Sequence, residues 1–228
     1  NLENYINKTL KCILEQDTEG VEIIIVNDGS TDRSQNVIEE IRNKYKHVVI
    51  KVVDQKNSGA AVARNSGIKV AGGEYIYFLD GDDLISPQLL SIIKKKLGPD
   101  LILFGLDMID EEGKVVMNYL DRYSYPKQSD VESILKGYLL KNFIIGMGSA
   151  VCRKELLLEK QLFFEPGRKF GEDVSYWIKF IAVSKNIIFI PRNLMSYVQR
   201  VNSATKSVKK PDFKSIEAYD YCYNYLKA

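Results

Sequence analysis

Between Glu22 and Leu106 short β-branched or aromatic runs alternate with stretches of helical period, and this alternation constrains the fold more than any other feature. Glu22 to Asn27 reads EIIIVN, the pattern of a strand buried on both faces. Val37, Ile38 and Ile41 then share one helical face, Val48 to Val53 is strand-like, and Gly59 to Ala71 is a helix of small residues suited to close packing on a sheet. Tyr75 to Leu79 predicts a further strand, 86 to 97 a helix, and Leu101 to Leu106 a fifth strand. Strands and helices in strict alternation argue an α/β fold: a mostly parallel, open sheet with helices on both faces. Leu2, Tyr5, Ile6, Leu10, Ile13 and Leu14 recur at helical spacing, so the sequence opens on a helix where such sheets open on a strand. The expectation is a sheet short of its first strand, with the natural chain longer at this end.

The second half is less regular. Asp107 to Met117 predicts a hairpin turning at Glu112-Gly113, 129 to 141 a helix, Val174 to Ile181 a helix with Trp177 in the core, and Ile187 to Ile190 a strand. The end, 212 to 227, is open between helix and a strand of alternating tyrosines. At 228 residues the chain suits one large domain. The expected division is an alternating half (1–106), a less regular half (107–205) and a helical extension (206–228).

Composition narrows the chemistry. A net charge of +2 is too small to argue for nucleic acid. His47 is the only histidine, so most imidazole-based zinc sites and Ser-His-Asp systems are excluded, and a catalytic base is expected to be a carboxylate. Cys12, Cys152 and Cys222 are far apart in sequence and read as reduced thiols. With no bilayer-length apolar run and no secretory signal, the expected setting is cytoplasmic, with peripheral contact at the inner face of a membrane.

Ligands of open α/β sheets sit at the carboxyl ends of strands, and here two strands end in acid. EIIIVN runs into Asp28-Gly29-Ser30-Thr31-Asp32, and YIYFL into Asp80-Gly81-Asp82-Asp83. Three carboxylates within four residues repel one another unless a cation offsets them, and their hard oxygens suit Mg²⁺ or Mn²⁺. Gly81 would leave room for a phosphate. The alternative is a solvated turn with Asp83 capping the next helix. Asp28 to Ser30 taken alone is equally a turn, with Ser30 or Thr31 starting a helix. Arg64, among alanines, reads as a phosphate ligand, a partner of Asp80, or both. In Gly171-Glu172-Asp173, Glu172 reads as a helix cap and Asp173 as a base kept ionised by the helix dipole. Gly146 to Ser149 reads as a simple turn. Arg168, Lys169, Arg200, Lys206, Lys209 and Lys210 are either solvated or face an anionic partner such as a lipid diphosphate or an anionic membrane surface.

Taken together the motifs NDGSTDRS (Asn27–Ser34), NSGAAVARNSGI (Asn57–Ile68), GEYIYFLDGDD (Gly73–Asp83) and FEPGRKFGEDVSYWIKF (Phe164–Phe180) resemble the family 2 inverting glycosyltransferases of GT-A fold, of the bacterial polysaccharide-synthesis type. The resemblance runs over most of 1–205. It implies transfer from a nucleotide diphosphate sugar, a UDP-sugar, to a saccharide or lipid-linked saccharide, with 1–106 as the nucleotide-sugar-binding half and 107–205 as the acceptor-binding half with the catalytic base. It implies that Asp28 meets the nucleobase, Arg64 lies near base and diphosphate, Asp80-Gly81-Asp82 is the nucleotide and metal motif with Asp82 the main ligand of Mn²⁺ or Mg²⁺ and Asp80 nearer the ribose, and Asp173 is the catalytic base. Asn27 stands where the family often has Asp. Rival readings are a sugar-phosphate nucleotidyltransferase and a non-catalytic nucleotide-sugar-binding module.

Overall fold

A computed structural model describes residues 1–125, 130–167, 171–200, 222 and 224–227. The alternating half folds as expected: α1 (Ile6–Leu14), β1 (Glu22–Asp28), α2 (Ser34–Lys44), β2 (Val49–Gln55), α3 (Ala60–Val70) and β3 (Tyr75–Tyr77). After the acidic turn come β4 (Leu84–Ile85), α4 (Leu89–Lys94) and β5 (Leu101–Ile109). The second half supplies β6 (Val115–Asn118), α5 (Tyr119–Arg122), α6 (Val131–Leu139), β7 (Ala150–Arg153), α7 (Lys154–Glu159), α8 (Glu172–Val183) and β8 (Ile187–Val198). The hairpin turns where expected, with Gly113 at φ 87° and its N–H on Asp110 O. Met147–Ser149 is a single 3-10 turn, and Trp177 is fully buried. Residues 222 and 224–227 are helical, while 201–221 and the basic residues Arg168, Lys169, Lys206, Lys209 and Lys210 lie outside the described residues.

Strand direction differs from expectation. β1 and β2 pair in parallel, as do β5 and β8. β7, however, inserts between β3 and β5 and runs antiparallel to both, and β4 and β6 are also antiparallel to their neighbours. The sheet is therefore mixed. Periodicity reports how each segment packs, not which distant segment it pairs with, and β7 and β8 come from the half where alternation stops.

Two apolar clusters result. The smaller joins α1, β1, α2 and β2 through Ile6, Leu10, Ile23, Ile25, Ile38 and Ile50. The larger surrounds β5, whose residues Leu101 to Phe104 are almost completely buried, and takes in Trp177, Ile178, Phe180 and Ile181 of α8. Phe164 stacks on Tyr176 at 4.0 Å, and Phe78 meets both rings edge-on at 5.2 and 5.8 Å. Such pairs add about 0.5–1.5 kcal/mol each beyond their buried area. This aromatic knot fixes α8 against the end of β3, where the acids lie. No other described strand pairs with β1 beyond β2, or with β3 beyond β7, and a largely apolar cleft of about 1030 Å³ lies between them under α1.

Candidate active site

The acidic turn is pinned from two sides. Asp83 is 3% exposed and accepts the Val198 N–H at 3.0 Å, which ties the turn to the end of β8. It does not cap α4, whose N-cap is Gln88. Burial pushes the Asp83 carboxyl up to about 8. On the other side Thr9 Oγ1 donates to Gly81 O at 3.0 Å. A Cβ on Gly81 would lie 2.8 Å from Leu2 Cδ1 and 3.2 Å from Ile6 Cδ1, so this glycine makes room for α1. The sequence reading, that Gly81 keeps space for a phosphate, is corrected on that point: the side facing a Cβ is filled by α1.

Asp80 and Asp82 point to different cations. Asp80 meets Arg64 Nη2 at 2.9 Å, and Arg64 Nη1 reaches from α3 to Glu172 of α8 at 3.4 Å. The guanidinium also lies over the Phe164 ring, 5.4 Å from its centroid. Burial opposes the charge of Arg64, but Asp80, Glu172 and Asp173 outweigh it and raise its pKa. Arg64 therefore holds the acidic turn and the start of α8 together. Glu172 is spent on this bridge rather than on capping, since the N-cap of α8 is Gly171, at φ 73° with no side-chain cap.

Asp173 accepts the N–H of Val174 at 2.8 Å. Its carboxyl keeps some exposed surface yet is closely surrounded by protein, and burial, then the neighbouring Glu172, push its pKa up; Val174 and Arg64 pull the other way and lose. The expectation that the helix dipole holds it well ionised is corrected: desolvation and a like charge outweigh the helix terminus. A raised value suits a group that must accept a proton near neutral pH.

Asp82 is 15% exposed, and Arg200 Nε lies 2.6 Å from its Oδ2. Burial raises its pKa, and Arg200 opposes the rise. Arg200, noted in the sequence only as one of several basic residues, was not assigned to the acids there. No local pattern could pair positions so far apart.

Asp28 is already engaged. Oδ1 accepts Gln55 Nε2 and the Ser58 N–H, both at 2.8 Å, and Oδ2 accepts the Gly59 N–H at 2.8 Å. It thus sets the loop that starts α3, the helix carrying Arg64, and Oδ2 retains a lone pair for a further donor. Neighbouring Asn27 donates to Gln35 and Asp54 and accepts the Ser30 N–H. An Asp here would lose these donors and face Asp54. Neither Ser30 nor Thr31 caps α2; Asp32 accepts the Ser34 N–H at 3.0 Å. Asn65 was also missed. It exchanges two hydrogen bonds with the Phe164 backbone, at 2.7 and 2.9 Å, and clamps that segment to α3.

Gly29 lies at φ 71°, and a Cβ there would come 2.7 Å from the Asn57 backbone nitrogen. Gly29→Ala is expected to cost at least ~1–2 kcal/mol from the left-handed backbone alone. At this chain size that lowers Tm by roughly 2–8 °C. Thermal denaturation checks this, and an unchanged Tm would mean the close approach is absent.

Five carboxyls (Asp80, Asp82, Asp83, Glu172, Asp173) thus surround two guanidinium groups, Arg64 and Arg200. Among the described residues no three His, Cys, Asp or Glu side chains enclose a metal ion. A hard divalent cation that shares its ligands with substrate phosphates needs only one or two carboxylates. Asp82, a desolvated carboxylate already matched by a cation, fits that partial donor set.

Residues 1–155 match the model of glycosyl transferase family 2. The chain belongs to this family. The glycosyltransferase GlyA of Streptococcus pneumoniae is 31% identical over 214 residues, covering 90% of this chain and 30% of that relative's length. The chain thus spans less than a third of that protein. Among solved structures, Staphylococcus aureus TarS in complex with UDP-GlcNAc superposes with a TM-score of 0.78 at 22% identity, covering 96% of this chain and 62% of that one. A mannosyltransferase of Pyrobaculum calidifontis in complex with GDP-Man and Mn²⁺ gives a TM-score of 0.61 at 18% identity, over 96% of this chain and 66% of that one. The fold is the α/β fold of the GT-A glycosyltransferases. No helix of the described residues is long and apolar enough to cross a membrane.

Proposed function

We propose that this chain transfers a sugar from a nucleotide diphosphate sugar, a UDP-sugar, to a hydroxyl of a saccharide or lipid-linked saccharide, with inversion, in surface polysaccharide synthesis. The observation that carries this is the Arg64 bridge from Asp80 to Glu172, which draws the acidic turn and the start of α8 into one site. Family membership and the UDP-GlcNAc held by TarS support the donor class. The Mn²⁺ held by the mannosyltransferase supports a divalent cation.

In this reading Asp173 takes the proton of the acceptor hydroxyl. The freed oxygen bonds to the anomeric carbon as the bond to the diphosphate oxygen breaks on the opposite face, and the nucleoside diphosphate leaves with the electron pair. One displacement inverts the anomeric centre through a transition state of oxocarbenium character. Arg64 keeps donor and base segments in register. Asp28 sets the loop beside the nucleobase and offers its remaining lone pair to it. Asp82, with Asp80 beside it, would hold Mn²⁺ or Mg²⁺, which supplies Lewis-acid neutralisation of the leaving diphosphate when bound. Residues 107–205 form the acceptor side.

The test is a screen of nucleotide sugars for metal-dependent release of the nucleoside diphosphate. Release of UDP from at least one UDP-sugar, faster with a saccharide acceptor, is expected. No release from any donor, with or without Mn²⁺, would leave a binding module instead of an enzyme.

A further inference from the structure

Arg200 stands apart from the other cations of the site. Its Nε is 2.6 Å from Asp82 Oδ2, yet off the line of a hydrogen bond, so the buried Nε has no aligned acceptor. The contact is a charge pair rather than a locked fork. The face of the Tyr5 ring, 5.2 Å from the guanidinium carbon, gives it further support, and its charge is also felt by Asp83. The backbone before it is fixed: Val198 N–H is held by Asp83 and Gln199 N–H by Ile109 O at 2.8 Å. A long side chain thus extends from an anchored base over the acidic turn, where its charge opposes the repulsion of Asp82 by Asp80.

We propose that Arg200 is the counter-ion of Asp82 before donor binds and a ligand of the donor diphosphate afterwards. The proposal rests on the donor-binding reading above and assigns a residue that reading leaves unused. The reasoning is electrostatic. A guanidinium and a divalent cation cannot share one carboxylate closely without repelling each other. When a cation arrives on Asp82 with a nucleoside diphosphate, the guanidinium must yield. The diphosphate oxygens are then the nearest new anions, and the planar fork matches them. Because Nε is misaligned on Asp82, little hydrogen bonding is lost in the exchange. The positive charge at the turn is conserved, with one cation on the carboxylate and one on the phosphates.

The two halves make opposite predictions, which a merely structural role does not. Binding of Mn²⁺ alone, followed by the electron paramagnetic resonance of the free ion, and binding of UDP with Mn²⁺ present, followed by calorimetry, would be measured for wild type, Arg200→Gln and Arg200→Lys. Arg200→Gln is expected to bind Mn²⁺ alone more tightly, because a competing charge is gone, and UDP at least about tenfold more weakly, because a charge-assisted hydrogen bond is gone. Arg200→Lys is expected to stay near wild type for Mn²⁺ and fall between the others for UDP, since it keeps the charge without the fork. Mn²⁺ affinity that is unchanged or weaker in Arg200→Gln would overturn the counter-ion half, and unchanged UDP affinity the diphosphate half. Parallel loss of both would reduce Arg200 to a structural residue. Wild type that binds no UDP would sink the donor reading itself, while the Mn²⁺ arm still decides whether Arg200 competes for Asp82.

Discussion

Asp173→Asn is expected to lower turnover by about 10²–10⁴-fold while leaving donor affinity close to that of wild type. The substitution keeps an amide oxygen where Oδ1 accepts the Val174 N–H, so the start of α8 has no cause to move. What disappears is the ability to accept a proton. The pH dependence sharpens the test. An unperturbed Asp titrates near ~3.9. Burial and Glu172 raise Asp173 above that range. A base acts only when deprotonated, so kcat/KM should rise with pH through this raised value and fall as pH drops below it. The acid limb of the wild-type profile should therefore lie above the ordinary carboxylate range. Steady-state kinetics across pH, with product analysed for anomeric configuration, would check both points. Turnover of the asparagine variant near wild type would remove Asp173 from the chemistry.

Asp82→Ala is expected to abolish Mn²⁺-dependent UDP binding and to reduce kcat/KM by about 10³-fold, the equivalent of several kcal/mol of lost leaving-group neutralisation. Chelation of the metal should lower wild-type activity by a similar factor and have little further effect on the variant. Folding should survive. Asp83, not Asp82, anchors the turn to β8, and Thr9 holds Gly81 independently. Calorimetry with and without Mn²⁺ is the measurement. UDP affinity that keeps its metal dependence in Asp82→Ala would move the cation to another ligand, and Asp80, paired to Arg64, is the next carboxyl available.

Much of the donor-side architecture was legible because it is local. EIIIVN and YIYFL are runs whose strand character and whose acidic ends lie next to each other in the chain, so position at a strand's carboxyl end followed directly. The small-residue helix with Arg64, and an acid pair opening α8, were equally readable. Side-chain duties were less so. Gly81 answers to Leu2 and Ile6, some 75 residues away in sequence, and Asp83 to Val198. Asn65 was invisible because its partner is a backbone segment near Phe164.

By itself, then, the amino-acid order determined which segments become strands and helices, which of them end in carboxylates, and to which family the chain belongs, since each is written in short-range period and motif. Tertiary structure alone decided that β7 enters the sheet antiparallel, that Arg64 joins Asp80 to Glu172, that burial lifts Asp173, and that Arg200 lies on Asp82. These depend on how distant segments meet and on how much water is removed between them, and neither quantity has a signature in local sequence.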